Sequence, residues 1–143
     1  MITLKEEHFD VINKHGEKDY PFECCGFLMG SLDPDGKKKV QEIYPIENSR
    51  EESAQHNRFL IDPGEFMKAE SYARKNRLDI VGIYHSHPDH PAKPSRFDLD
   101  HAWPLYSYVI VAVHQGKVVD FLSWEMLPDR SGFDEENIFK SNS

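Results

Sequence analysis

Ile80-Val81-Gly82-Ile83-Tyr84-His85-Ser86-His87 is the stretch that decides how this chain is read. Its first five residues are apolar and rich in β-branched side chains, which predicts a buried strand. Side chains alternate along a strand, so His85 and His87 share one face with Val81 and Ile83. Two imidazoles on one face at a strand end can grip a single metal ion. Pro88, Pro91 and Pro94 then forbid regular structure until Ser95. Ser95 is suited to cap a short helix, and Asp98 lies one helical turn further on, where its carboxylate can fold back onto the same ion.

Two histidines and a carboxylate leave a tetrahedral zinc one position short, the arrangement of a catalytic rather than a structural site. The same donor set also describes a nonheme iron centre, and the donors alone leave zinc and iron both open. A zinc deaminase is excluded, because no Pro-Cys-x-x-Cys follows the histidines.

His85-Ser86-His87, then seven residues to Ser95 and two more to Asp98, resembles the JAMM motif of the MPN-domain metalloproteases. The stretch Pro21-Phe22-Glu23-Cys24-Cys25-Gly26-Phe27-Leu28-Met29-Gly30 is similar to that family's first-strand signature, in which a glutamate precedes a Cys-Gly and an apolar strand. The likeness runs from about Leu4 to Trp124. It implies a mixed α+β fold, with a curved, mainly antiparallel sheet flanked by two main helices. It implies Zn2+ held by His85, His87 and Asp98, Glu23 as proton carrier, and Ser95 as donor to a developing oxyanion. It also implies a substrate: the peptide or isopeptide bond after the C-terminal Gly-Gly of a ubiquitin-like or sulfur-carrier protein, as for compact stand-alone prokaryotic members. Some relatives are inactive scaffolds that have lost ligands or the glutamate; all five positions are kept here. Glu23 is assigned by resemblance only, since it stands 62 residues before His85 and spacing alone cannot join them.

The chain has 143 residues, a length suited to one domain. Nine Phe, six Tyr and two Trp supply material for a core. A formal net charge of −8 argues against a nucleic-acid partner. No apolar run approaches the ~20 residues that span a bilayer, the first residues lack a signal peptide's pattern, and the expectation is a cytoplasmic protein without membrane partners. Cys24 and Cys25 are adjacent, which suits two small buried residues better than a loop-closing disulfide.

In chain order, Thr3 and Glu6 form a capping-box pattern for a helix over residues 3–16, with Gly16 as its stop. His8 and His15 fall on its apolar stripe as packed residues. Residues 26–32 and 39–45 make a hairpin across Asp33-Pro34-Asp35-Gly36, a turn that lacks the ligand series of a calcium loop. Residues 47–57 read as a polar loop near the site, and 58–61 as a short strand. A helix starts at Asp62-Pro63 and runs to about Asn76. Strands follow over residues 106–114 and 117–125. His90 and His101 flank the candidate ligands, and His114 ends a strand. The domain is expected to span 1–126, with 127–143 a mobile polar tail.

Overall fold

The computed structural model describes residues 1–46 and 63–141. Its elements in chain order are β1 (Ile2–Lys5), α1 (Glu6–Asp19), β2 (Cys25–Leu32), β3 (Lys38–Ile46), α2 (Pro63–Lys75), β4 (Asp79–Pro88), α3 (Arg96–His101), β5 (Ser107–His114), β6 (Lys117–Met126), β7 (Phe133–Glu136) and β8 (Ile138–Ser141). The expected mixed α+β sheet, curved and mainly antiparallel, is what forms. The readings of residues 47–57 and 58–61 lie outside the described residues.

The strands make one sheet in the order β7-β6-β5-β4-β2-β3-β1-β8. β4 is central, antiparallel to β2 and parallel to β5. Its run of apolar residues follows from that position, since both faces are covered. On one face, Ile12 of α1 packs with Ile2, Leu4, Leu28, Val81, Tyr84, Val109, Val111 and Val113. On the other, Ala69 and Ala73 of α2 pack with Phe27, Met29, Ile83 and Tyr108, and Leu99 of α3 joins them. Gly26 sits opposite Tyr84 in the ladder, and a Cβ there would run into the Tyr84 ring. Glycine is what lets the large ring lie flat across β2.

Val81 does not share a face with Ile83: the β2–β4 register shifts between Leu28 and Met29, and Val81 packs with Tyr84 toward α1 while Ile83 packs toward α2. Three further expectations need correction. The helix does not begin at Thr3. Ile2 and Leu4 are fully buried and alternate with half-buried Thr3 and Lys5, the period of a strand. β1 pairs in parallel with β3 and β8, so long-range ladder bonds override the local capping pattern. The helix starts at Glu6 instead, where the Lys5 N–H donates to His8 Nδ1 at 3.0 Å. Gly16 is no stop. It lies buried inside α1, where its missing side chain admits Val113 and Ser86.

The third correction concerns residues 127–143. The segment read as a mobile tail supplies β7 and β8, at opposite ends of the strand order although only Asn137 separates them. The chain thus steps from one edge to the other, and the Ile2 N–H donates to the Asn137 carbonyl at 3.0 Å. This makes the sheet nearly closed. Among the described residues, no helix is long and apolar enough to cross a membrane.

A buried polar cluster fastens the closure. Glu136 Oε1 accepts from Ser107 Oγ at 2.6 Å and from Ser123 Oγ at 2.8 Å. Its Oε2 lies 3.6 Å from Lys38 Nζ, which also reaches Glu125 Oε2 at 2.9 Å. Lys38 and Glu136 are both buried, and a buried ion that loses its partner is costly. Lys38 keeps Glu125 when Glu136 is removed, but the buried Ser107 and Ser123 hydroxyls lose their acceptor, so Glu136→Ala should destabilise the fold by about 1–3 kcal/mol in urea unfolding. A loss under about 1 kcal/mol would show that the closure does not depend on this cluster.

Candidate metal centre

Alternation along β4 sends His85 and His87 to one side and Ser86 to the other. His85 Nε2 and His87 Nε2 are 3.0 Å apart. Asp98 faces both: Oδ1 is 3.1 Å from His85 Nε2, and Oδ2 is 3.2 Å from His87 Nε2. Zinc bonds to nitrogen and oxygen of about 2.0–2.2 Å imply tetrahedral edges of about 3.3–3.5 Å. The three groups stand close to that spacing, with Asp98 meeting the two histidines through different oxygens, so the donor set suits such an ion after a small opening of the cluster. Glu23 is the fourth group present, and one carboxylate oxygen lies within 4.8 Å of a ring nitrogen on each histidine.

Each group is placed by local bonds. His87 Nδ1 is 2.9 Å from the Pro91 carbonyl. A carbonyl only accepts, so Nδ1 carries the proton, and in the neutral ring Nε2 keeps its lone pair for an ion. Ser95 caps α3 with a reciprocal pair of bonds: Asp98 N–H donates to Ser95 Oγ at 3.1 Å, and Ser95 N–H donates to Asp98 Oδ2 at 2.7 Å. That pair aims the carboxylate at the histidines. It also leaves the Ser95 hydroxyl proton available, because Oγ acts only as acceptor in the cap. The loop between is held by Ala92, buried against Ile110 and Ala112, with Trp124 Nε1–H donating to the Ala92 carbonyl at 3.0 Å.

Burial lowers the pKa of His85, with Asp98 opposing. Burial also lowers that of His87, but the Asp98 hydrogen bond and charge and the Pro91 carbonyl outweigh it, and the net shift is upward. Burial alone would raise Asp98, yet His85 and His87 hold its carboxyl far below the usual carboxylate range. The site opens on a cleft of about 320 Å³ lined by Glu23, His87, His90, Lys93, Ser95 and Asp98, among others.

A family profile described as prokaryotic homologs of the JAB domain matches residues 5–127. The chain belongs to that family. Among its relatives, desampylase of Haloferax volcanii is 32% identical over 114 residues, covering 76% of this chain and 78% of that protein. The CysO-cysteine peptidase of Mycobacterium bovis is 31% identical over 114 residues, covering 78% and 73%. Tail tip assembly protein K of Escherichia phage N15 is 30% identical over 95 residues, 66% of this chain, which spans only 34% of that longer protein. The JAB fold is shared by a solution structure of a Desulfitobacterium hafniense protein, with a TM-score of 0.86, 34% identity, and coverage of 100% of this chain and 94% of that one. A structure described as a metalloprotease-like zinc site in the proteasome and signalosome agrees in fold at a TM-score of 0.60 and 15% identity, covering 99% of each chain.

The five residues singled out in the sequence, Glu23, His85, His87, Ser95 and Asp98, are all gathered at this one site. His90 lines the cleft, whereas His8 and His15 belong to α1 and bond within the fold. His114 points its Nε2 at the His90 carbonyl, 3.1 Å away. The His101 side chain lies outside the described residues. Cys24 and Cys25 are buried free thiols, and burial pushes the Cys24 thiol up to about 12 and that of Cys25 higher still, so both stay protonated. Sequence reasoning missed the Pro91 carbonyl, Trp124 and Ser86. None had a signal of its own: a carbonyl is not written in a sequence, and Trp124 and Ser86 read as ordinary strand residues.

A metal at Nε2 requires an unprotonated ring there, and the raised His87 pKa keeps the ring protonated to higher pH. Zinc affinity should thus be full above that pKa and fall as pH drops through it, by about tenfold per pH unit for one displaced proton. Zinc titrations over a pH series would show this. A flat profile, or one retained after His87→Ala, would remove His87 from the ligand set.

Proposed function

We propose that this chain is a zinc-dependent peptidase or isopeptidase that hydrolyses the bond after the C-terminal Gly-Gly of a ubiquitin-like or sulfur-carrier protein. The observation that carries the reading is the meeting of Glu23 with His85 and His87, beside Asp98 and at an open cleft. Family membership supports hydrolysis, and relatives named desampylase and CysO-cysteine peptidase support a carrier conjugate as substrate.

His85, His87 and Asp98 would hold the ion. Zinc, when bound, acidifies water and polarises a carbonyl. Glu23 takes a proton from the attacking water and hands it to the amine nitrogen that leaves. Its burial keeps bulk water from competing for that proton. The Ser95 hydroxyl donates to the carbonyl oxygen as negative charge builds on it, while its Oγ continues to cap α3. The two roles use different atoms and are compatible. A carrier's extended glycine tail suits the cleft, because glycines carry no side chains for its walls to exclude.

Glu23→Gln should keep the fold and the zinc but lose about two to four orders of magnitude in turnover. Ser95→Ala should cost up to about two to three orders. The assay is mass spectrometry of a ubiquitin-like carrier bearing an extension after its Gly-Gly, together with metal analysis of protein purified without added metal. Cleavage at that junction with stoichiometric zinc is the expected outcome. An intact carrier beside freely cut unstructured peptides would make the protein a general metallopeptidase. Stoichiometric iron would favour the nonheme iron reading, and absence of any turnover would favour a scaffold.

A further inference from the structure

The structure assigns Tyr20 and Asp89 as positioning residues that hold Glu23 against the candidate metal centre. The inference rests on the role proposed above for Glu23. Residues 20–24 connect α1 to β2 and carry Glu23, so its distance from the histidines depends on how this connection is tied down. Phe22 N–H donates to the Asp19 carbonyl at 2.8 Å, which folds the connection back on α1. Its far end is fixed by Ser86, which points away from the metal face. Cys24 N–H donates to Ser86 Oγ at 2.8 Å, and Ser86 N–H donates to the Cys24 carbonyl at 3.1 Å.

Its near end is fixed by Asp89. Tyr20 Oη–H donates to Asp89 Oδ2 at 2.6 Å. Asp89 is itself immobilised. Its Oδ1 accepts from the Gln115 N–H at 2.9 Å, and its own N–H donates to the Val113 carbonyl at 2.8 Å. Its backbone lies in the left-handed region, with φ 59°, where Asp and Asn are among the few tolerated non-glycine residues. Ser86 stands between the two histidines and Asp89 stands two residues beyond His87. Both anchors of the Glu23 segment are therefore carried by the strand, or its immediate extension, that carries the histidines. The arrangement places a proton carrier and two candidate ligands on a common frame although 62 residues of chain separate them. A displacement of about 1 Å at such a group can cost up to about a hundredfold in rate.

Tyr20→Phe removes only the hydroxyl, and Asp89→Gly removes the carboxylate at a φ that glycine adopts freely. With the carrier fusion as substrate, each should lower kcat about tenfold while KM, zinc content and Tm stay at parental values. Asp89→Asn keeps a hydrogen-bonding group for both partners and should restore kcat. In a Glu23→Gln background, Tyr20→Phe should have no further effect, because it acts through Glu23. An equal loss in both backgrounds, an unchanged kcat in Tyr20→Phe, or a loss that appears as reduced zinc or Tm overturns the positioning role and leaves the peptidase reading standing. Parental turnover in Glu23→Gln, or none in the parent, overturns both.

Discussion

Two strands that lie side by side and run the same way cannot be joined by a tight turn. β4 and β5 are such a pair, in register from Gly82 with Ser107 to Pro88 with Val113, and the chain must travel back along the sheet before β5 can begin. A crossover of a dozen or more residues is the geometric minimum for this. Residues 89–106 make it here, and nearly everything chemical about the protein sits on them or next to them. The crossover starts where the two histidines end β4, and Pro88, Pro91 and Pro94 keep it from folding into anything longer. It is pinned by Ala92 under Trp124 and turned back by the Ser95 cap, so that Asp98 arrives where β4 ended. The parallel pair requires a long return path, and the site forms where that path leaves β4 and brings Asp98 back to it.

How much of this can be read from the chain follows from how local each piece is. The histidine pair, the prolines, the cap and the carboxylate lie within fourteen residues, from His85 to Asp98, and alternation and helical periodicity are enough to bring them together. The hairpin and α2 are legible for the same reason. Glu23 is not, because its meeting with the histidines depends on the ladder between β2 and β4, in which Cys25 pairs with His85. Resemblance alone could supply it. The misread elements, β1, β7 and β8, are all short strands that exist only through partners distant in sequence. Thr3 and Glu6 offer a sound local helix start, and it loses to a strand whose Ile2 and Leu4 fill the space beneath α1.

The C-terminal strands mislead for a further reason. Glu136 is a carboxylate in a polar stretch, and the ordinary reading of such a residue is a solvated one. Its partners, Ser107, Ser123 and Lys38, come from three other strands. Lys38 opens a strand after a run of turn residues and reads as solvated for the same reason. A buried ionic cluster at a seam is invisible to hydropathy because each member contributes polarity. Only the assembled set gives each member a partner.

Asp98 has one further property, which bears on how the protein would acquire its metal. The same carboxylate oxygen that faces His87 also accepts the Ser95 N–H, and that bond belongs to the start of α3 rather than to any ion. The carboxylate is therefore oriented by the backbone before a metal arrives, and His87 is likewise set by the Pro91 carbonyl. Sites whose ligands are brought together only by their ion couple loading to folding, and chelators unfold them. A centre oriented in this way would separate the two processes: an ion would meet a face already set by the backbone, and a chelator would be expected to strip it without unfolding the chain.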